Sequence, residues 1–225
     1  MSKGFIIAID GPVASGKGTI AKALSKKLNA FFLTTGMFYR AATYYCLQHK
    51  INLLDAEAVR QILPDIQVTV RGETTLLNNQ DVTRFLKLAE VDKNVPIISN
   101  YSFVREYLTP TQRQTGLIEA KKRVVIAEGR DMATKVFPDA TVKIYLTASV
   151  KTRAQRRFEQ QKTVRNLDFQ TVLAETKQRD YGDMYGEMHY LTTEPEKYGY
   201  TIVDDTDLTE EQTIERILEI VRNNE

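Results

Sequence analysis

Short apolar runs and segments with helical spacing alternate along this chain. The run "FIIAID" (residues 5–10) has the composition of a buried strand, and in "KGTIAKALSKKL" (17–28) Ile20, Leu24 and Leu28 recur on one helix face. The pattern predicts a strand, a glycine-rich loop and a helix, in that order.

Four further apolar runs of strand length follow: "FFL" (31–33), "VVIA" (124–127), "VKIYLTA" (142–148) and "YTIVD" (200–204). Helical spacing follows three of these runs, over about 37–49, from about Val150, and over about 209–222. Strands that are apolar throughout and alternate with helices are typical of a parallel sheet covered on both faces. The sequence therefore predicts an α/β fold with a doubly wound, five-stranded parallel sheet.

One region departs from this alternation. Residues 66–83, "IQVTVRGETTLLNNQDVT", contain two short β-rich stretches and the turn-forming pairs Arg71-Gly72 and Asn78-Asn79. We interpret the region as a small antiparallel insert of two strands.

Composition excludes several classes of function. Lys and Arg exceed Asp and Glu by 31 − 29 = 2 over 225 residues, so the surface is not polybasic and no nucleic-acid partner is expected. No apolar run approaches the roughly 20 residues of a membrane span, and Cys46 is the single cysteine, set in a helical packing pattern. We expect a cytoplasmic, monomeric protein without a membrane partner.

The loop after the first predicted strand carries candidate chemistry. "GPVASGKGT" (11–19) fits G-x-x-x-x-G-K, with Gly18 where Ser or Thr is usual and a hydroxyl one position later at Thr19. Such a loop directs backbone N–H groups and a helix dipole at an anion, and Lys17 would reach the terminal phosphates. Ser15 or Thr19 would hold a phosphate oxygen or Mg²⁺. The alternative is an ordinary strand-to-helix turn, but the strand before and the helix after favour a polyphosphate site.

Arginines from separate segments fit the transfer of a phosphoryl group between polyphosphates, which brings four or more negative charges together. The candidates are Arg40, Arg105, Arg130, Arg156, Arg157 and Arg179. A surface arginine is ordinarily just solvated. Arg130 follows a strand directly and Arg40 opens a helix after another, so these two are the strongest candidates.

These motifs together resemble bacterial cytidylate kinases over essentially the full length. The resemblance rests on "IAIDGPVASGKGT", "TTGMFYRA", "NNQDVT", "EGRDMATKVFPDATVKIYLTAS" and "RAQRR". The stretch "EGRDMATKVFPDA" is the most discriminating, because it separates this family from adenylate, guanylate and shikimate kinases that share the phosphate loop.

The resemblance implies Mg²⁺-dependent transfer from ATP to CMP or dCMP by a P-loop kinase in three parts. The parts are a core of residues 1–60, 100–155 and 168–225, a nucleotide-binding insert over 61–99, and a short lid over 156–167.

The resemblance also assigns roles to individual residues. ATP would be held by Gly11, Pro12, Val13, Ala14, Ser15, Gly16, Lys17, Gly18, Thr19 and Arg157, with Thr19 as the Mg²⁺ ligand, largely through water. The acceptor nucleotide would be bound by Thr35, Arg40, Arg105, Arg130, Asp131, Arg179 and Asp183, of which Arg105 and Asp131 read the base and Asp183 takes a sugar hydroxyl. The catalytic set would be Lys17, Arg130, Arg156 and Arg179, with Arg165 as a further lid arginine. Glu128 would either contact Mg²⁺ through water or pair with an arginine.

Three departures from the family pattern leave the identity of the acceptor nucleotide undecided. Thr34 stands where the family has Asp, Pro96 stands where it has a serine that contacts the base, and Gly186 stands where it has an arginine ahead of a Pro-Leu pair. The loss of that arginine predicts weaker acceptor binding or slower transfer, unless a lid arginine or Lys197 substitutes. Ser99 could replace the serine. The alternatives are a UMP-accepting or broad nucleoside monophosphate kinase, and a nucleotide-binding protein with little transferase activity.

Overall fold

The computed structural model describes residues 4–162, 168–186 and 190–224. The strands are β1 (Ile6–Asp10), β2 (Phe31–Thr34), β3 (Val68–Arg71), β4 (Thr74–Leu77), β5 (Gln80–Asp81), β6 (Val125–Glu128), β7 (Val142–Thr147) and β8 (Thr201–Asp204). The α-helices are α1 (Lys17–Lys27), α2 (Gly36–Gln48), α3 (Ala56–Ile62), α4 (Ala89–Ser99), α5 (Ser102–Ala120), α6 (Val150–Gln161), α7 (Phe169–Tyr185) and α8 (Glu210–Arg222). Short 3₁₀ turns and one π-helical turn, Met132–Val136, complete these elements.

A five-stranded parallel sheet in the order β2-β6-β1-β7-β8 forms the centre, as the apolar runs predict. All five residues of β1 are buried, because neighbouring strands cover both edges and helices cover both faces. Ile7 and Ile9 contribute to one hydrophobic cluster and Ile6 and Ala8 to the other, which follows from the period of two along a strand.

Each face of the sheet has its own set of helices. Ile20 and Leu24 of α1 and Ile214 and Ile217 of α8 belong to the cluster with Ile7. The opposite cluster includes residues of α2, α4 and α5, such as Phe38, Ile98 and Leu108, and it contains the buried Cys46. A capping box between Thr209 and Gln212 begins α8. The doubly wound arrangement is therefore confirmed.

The insert has three strands rather than the two that the sequence predicts. β3, β4 and β5 form an antiparallel sheet, with tight turns at Gly72 (φ +60°) and Asn78-Asn79 (φ +50° and +65°). The third strand has only two residues, both exposed, so no alternation of apolar and polar positions marked it. Val68, Val70 and Leu77 join the same cluster as Phe38, which joins the insert to the core.

The predicted lid begins inside a helix. Arg156 lies in the middle of α6, which continues to Gln161 and packs against α7. The rest of the predicted lid, 163–167 with Arg165, lies outside the described residues. Within the described ranges, no helix combines the length and apolarity needed to cross a bilayer.

Candidate functional site

Two cavities open near the carboxyl ends of β1 and β6. The loop cavity, about 530 Å³, is lined by residues 14–20 together with Arg156, Gln160, Asp205 and neighbours. The arginine cavity, about 750 Å³, is lined mainly by residues of α2, α4 and α7 and of the segment after β6. Glu128 and Arg130 line both cavities, so the two cavities meet at the end of β6.

Glycines shape the loop between β1 and α1. Gly16 caps α1 in the left-handed region, with φ +81°, which L-residues adopt only with strain. At Gly11 a Cβ atom would lie 2.0 Å from the carbonyl oxygen of Leu146, so a side chain cannot be accommodated there. At Gly18, by contrast, an added Cβ would meet nothing within 4 Å. Packing therefore leaves room for the usual Ser or Thr at that position.

The loop cavity has the electrostatics of an anion site. Lys17 is buried and its Nζ donates to the Pro12 carbonyl at 2.9 Å. Burial lowers the pKa of Lys17 to about 7, and the charge of Arg130 acts in the same direction. The buried hydroxyl of Ser15 has no hydrogen-bond partner among the described residues. An anion in this cavity would pair with the lysine and supply the missing partner of Ser15.

The predicted ATP residues of the glycine-rich loop lie in three positions. Ala14, Ser15, Gly16, Lys17, Gly18 and Thr19 line the loop cavity. Val13 lines the arginine cavity, and Gly11 and Pro12 are buried at the start of the loop.

The chemistry near Thr19 suits a magnesium ion that phosphates hold. Thr19, Glu128 and Asp205 line the same cavity, and the described part of the chain contains no cluster of three or more His, Cys, Asp or Glu side chains able to hold a metal. In nucleotide sites generally, magnesium keeps several waters and is held by one or two protein carboxylates together with the substrate phosphates. Glu128 Oε2 accepts a hydrogen bond from the Thr34 hydroxyl at 2.9 Å. Thr34, which stands where the family has Asp, therefore makes a polar contact with Glu128.

The arginine cavity contains every residue predicted to bind the acceptor. Thr35, Arg40, Arg105, Arg130, Asp131, Arg179 and Asp183 all line it. These residues come from segments up to about 150 positions apart in the sequence, and the fold brings them to one edge of the sheet.

Arg105 is held in place by contacts with other protein groups. Its Nη1 pairs with Asp131 Oδ2 at 2.7 Å, and its Nε donates to the Ser99 carbonyl at 2.8 Å. The rings of Tyr190 and Tyr39 lie 3.8 and 5.0 Å from its guanidinium carbon. Arg105 and Asp131 thus present a donor and an acceptor side by side in fixed positions.

Asp183 contacts both Arg130 and Arg179. It is 1% exposed, with Oδ2 accepting from Arg130 Nε at 3.0 Å and Oδ1 lying 2.9 Å from Arg179 Nε. The Tyr190 hydroxyl donates to Oδ1 at 2.7 Å. Burial opposes ionisation, but Arg130 and Arg179 outweigh it and lower the pKa of Asp183. The carboxylate therefore stays charged and holds both guanidinium groups at the cavity wall.

Arg40 and Thr35 are positioned by contacts with other elements of the fold. Arg40 Nη1 donates to the Leu86 carbonyl at 2.9 Å, and its Nη2 pairs with Asp92 at 2.5 Å. The Thr35 hydroxyl donates to the Glu128 carbonyl at 3.0 Å. Arg40 thereby connects α2 to the segment between the insert and α4.

The two neighbouring arginines of α6 face different cavities. Arg156 pairs with Asp205 at 3.0 Å and lines the loop cavity. Arg157, which the resemblance assigns to ATP, instead lines the arginine cavity, 3.9 Å from Glu175. In this conformation Arg157 is therefore on the acceptor side.

The structure also shows where the other two departures from the family pattern, Gly186 and Pro96, lie. Gly186 ends α7, and a Cβ atom there would lie 2.5 Å from the Gly182 carbonyl oxygen. Lys197 pairs with Glu194 at 2.6 Å on the surface and is absent from the described lining of the arginine cavity, whereas Arg157 is present. Pro96 lies inside α4 and lines that cavity with Ser99.

Sequence reasoning missed a group that supports the phosphate loop. Arg153 of α6 donates to the Val13 carbonyl at 3.0 Å and forms a two-point ion pair with Asp180 of α7, at 3.0 and 2.7 Å. Asp10 is fully buried and accepts from the backbone N–H groups of Met132 and Ala133, each at 2.9 Å. Neither contact could be predicted from local sequence. The contacts of Arg153 with Val13 and of Asp10 with Met132 and Ala133 join residues more than 100 positions apart, and Arg153 lies among other basic residues of α6.

The parallel sheet, the glycine-rich loop after β1 and the adjoining arginine cavity define a P-loop phosphotransferase. The family model described as cytidylate kinase matches residues 7–223, and the chain belongs to the cytidylate kinase family.

Curated relatives agree with this assignment, and a solved structure agrees with the fold. The cytidylate kinase of Caldanaerobacter subterraneus subsp. tengcongensis is 38% identical over 219 residues, covering 97% of this chain and 95% of that protein. The cytidylate kinase of Bacillus subtilis is 36% identical over 226 residues, covering 98% of each chain. A shikimate kinase from Acinetobacter baumannii matches in fold, with a TM-score of 0.50 at 12% identity over 99% of this chain and 95% of that one.

Proposed function

We propose that this protein transfers a phosphoryl group from ATP to CMP or dCMP, with Mg²⁺, giving ADP and CDP or dCDP. The observation that carries the proposal is that the loop cavity and the arginine cavity meet at Glu128 and Arg130. A donor phosphate in one cavity and an acceptor phosphate in the other would therefore face each other across Arg130.

On the donor side, the loop from Gly11 to Thr19 would hold the ATP phosphates. Lys17 and the N-terminus of α1 supply positive charge, and the unpartnered Ser15 hydroxyl supplies a further contact. Arg156, held by Asp205, would act on the transferred group. Mg²⁺, when bound near Thr19, would neutralise phosphate charge.

On the acceptor side, Arg40, Arg130 and Arg179 would hold the monophosphate. Cytosine offers an amino donor beside ring acceptors, and the fixed pair of Asp131 and Arg105 offers the complementary acceptor and donor. Uracil has a carbonyl in place of the amino group, so Asp131 would face an acceptor.

The chemistry requires positioning rather than a base. The acceptor phosphate is already an anion, so no proton has to be removed before attack. Catalysis then consists of alignment and charge neutralisation, with Arg130 and Arg179 preorganised by Asp183.

We also propose that the protein acts as a cytoplasmic monomer. The residues that we assign to both nucleotides line cavities of one chain, so a second subunit is not needed to complete the site. The buried thiol of Cys46 suits a reducing compartment.

The test is an ADP-release assay with ATP and Mg²⁺ against CMP, dCMP, UMP, AMP and GMP. We expect turnover on the cytidine nucleotides, loss of turnover without Mg²⁺, and a loss of about 100-fold or more in Lys17→Ala, because a charge that stabilises the transferring phosphoryl group is removed. Lys26→Ala, an exposed lysine on the same helix, is the matched control.

A second function is favoured by Pro96. This residue lines the arginine cavity without a hydroxyl, which would reduce discrimination of the base there unless Ser99 replaces it, so a UMP-accepting or broad monophosphate kinase is the alternative. Turnover spread evenly over UMP and CMP would establish that alternative. Nucleotide binding without turnover on any acceptor would instead identify a nucleotide-binding protein.

A further inference from the structure

Tyr190 is a wall residue of the arginine cavity to which the resemblance gives no role. Tyr190 comes four residues after Gly186, the position where the resemblance expects an arginine. Tyr190 is 7% exposed, lines the cavity, and contacts both Arg105 and Asp183. It thus joins the base-reading pair to the carboxylate that holds the phosphate-binding arginines.

The ring of Tyr190 acts on Arg105. The guanidinium carbon lies 3.8 Å from the ring centroid, closer than the 5.0 Å to the ring of Tyr39. A buried guanidinium over an aromatic face is stabilised by the ring quadrupole. The ring therefore helps to keep Arg105 beside Asp131.

The hydroxyl of Tyr190 acts at Asp183. It donates its single hydrogen to Asp183 Oδ1 at 2.7 Å. Burial and the charge of Asp183 raise the pKa of Tyr190, so the phenol keeps that hydrogen at neutral pH. Toward a ligand, the phenol oxygen can then only accept a hydrogen bond.

Asp183 itself is less accessible than Tyr190. Arg130, Arg179 and Tyr190 already approach its two oxygens, and the residue is 1% exposed. A sugar hydroxyl arriving at this wall would therefore reach the phenol oxygen of Tyr190, a residue that is 7% exposed, more readily than the carboxylate of Asp183.

We propose that Tyr190 is a specificity-determining residue of the acceptor cavity, whose hydroxyl oxygen accepts from the 2′-hydroxyl of a pyrimidine ribonucleoside monophosphate and whose ring holds Arg105. This inference rests on the proposed function and deepens it. It predicts that CMP is preferred to dCMP, because dCMP lacks the donor.

The decisive variant is Tyr190→Phe, which removes the oxygen and keeps the ring. Titration calorimetry without ATP should show CMP affinity falling about 3- to 10-fold, the range for one hydrogen bond, while dCMP affinity changes less than about 2-fold. The kcat/KM for CMP should fall by the same factor as the CMP affinity, and the kcat/KM for dCMP should stay nearly unchanged. The KM for ATP should stay constant. Tyr198→Phe, an exposed tyrosine, is the matched control.

The ring is tested by Tyr190→Leu. Because Arg105 loses the closer of its two aromatic contacts, the affinities for CMP and dCMP should both fall below those of Tyr190→Phe, again without change in the KM for ATP. Thermal melting of both variants establishes that they fold.

Equal loss of CMP and dCMP affinity in Tyr190→Phe, or no loss, would overturn the role of the hydroxyl. A wild-type preference for dCMP would do the same. If wild-type protein binds ATP but neither cytidine nucleotide, the proposed function fails together with this inference; if it phosphorylates CMP and the CMP-to-dCMP ratio is unchanged in the variant, only the inference fails.

Discussion

Lys17 shows at the residue scale how burial prepares a charge for its ligand. The side chain is 5% exposed and donates to Pro12, and burial lowers its pKa to about 7. Phosphate oxygens beside the ammonium would favour the protonated form and raise the pKa again. The empty protein therefore holds Lys17 partly neutral at neutral pH, and ligand binding completes its protonation.

A linked uptake of protons follows from this difference. At pH 8 Lys17 is mostly neutral in the empty protein, so ATP binding should take up nearly one proton, and affinity should fall by up to about tenfold per pH unit above pH 7. Below pH 6 the lysine is already charged and its uptake vanishes. Calorimetry at pH 8 in buffers of different ionisation enthalpy measures the uptake.

Lys17→Ala is the control for this measurement, since it should lose the uptake that belongs to the lysine. Equal proton uptake in wild type and variant would contradict the prediction. The same shift affects stability: between pH 7 and pH 10.5 the unfolded chain binds the proton that the folded chain has lost, so the empty protein should become more stable as pH rises through this window.

The end of α7 shows at the element scale why a missing side chain cannot simply be restored. Gly186 ends the helix, and a Cβ atom there would lie 2.5 Å from the Gly182 carbonyl oxygen. At Gly182, one turn earlier, an added Cβ meets nothing within 4 Å. The backbone of this helix end therefore fits glycine at one position and tolerates a side chain at the other.

Gly186→Arg should therefore destabilise the protein by about 1–3 kcal/mol, as overpacking does, and should leave the KM for CMP no better than in wild type. Gly182→Ala, the matched substitution, should stabilise by about 0.5–1 kcal/mol because alanine has the higher helix propensity. Urea unfolding and steady-state kinetics measure both. A Gly186→Arg protein with wild-type stability and a lower KM for CMP would show that the helix end adjusts to the arginine.

At the scale of the whole molecule, the two cavities share Glu128 and Arg130 at the end of β6, so each ligand should stabilise the parallel sheet that both cavities border. A ligand at 100 times its Kd adds about 2.7 kcal/mol to the free energy of unfolding, which corresponds to about 5–11 °C in Tm for a chain of this size. CMP and ATP should each produce such a shift in thermal melting.

Asp131→Asn separates the two sites in the same experiment. The variant loses the negative partner of Arg105, so the shift with CMP should shrink while the shift with ATP persists. An undiminished CMP shift would remove Asp131 from the acceptor site.

The apolar runs and the spacing of helical positions determined the parallel sheet and its helices, because burial on both faces leaves a strong local pattern. The phosphate loop from Gly11 to Thr19 could also be predicted from the sequence, since such a loop needs glycines and a lysine at fixed spacing. The short strand β5 was not, because two exposed residues carry no period.

The tertiary structure decided which side chains meet. It directs Arg156 and Arg157 of one helix into different cavities, supports Val13 from Arg153, and places Tyr190 between Arg105 and Asp183. The physical reason is range: strand and helix patterns arise from neighbours in sequence, whereas the partners of a buried charge are set by packing between distant segments.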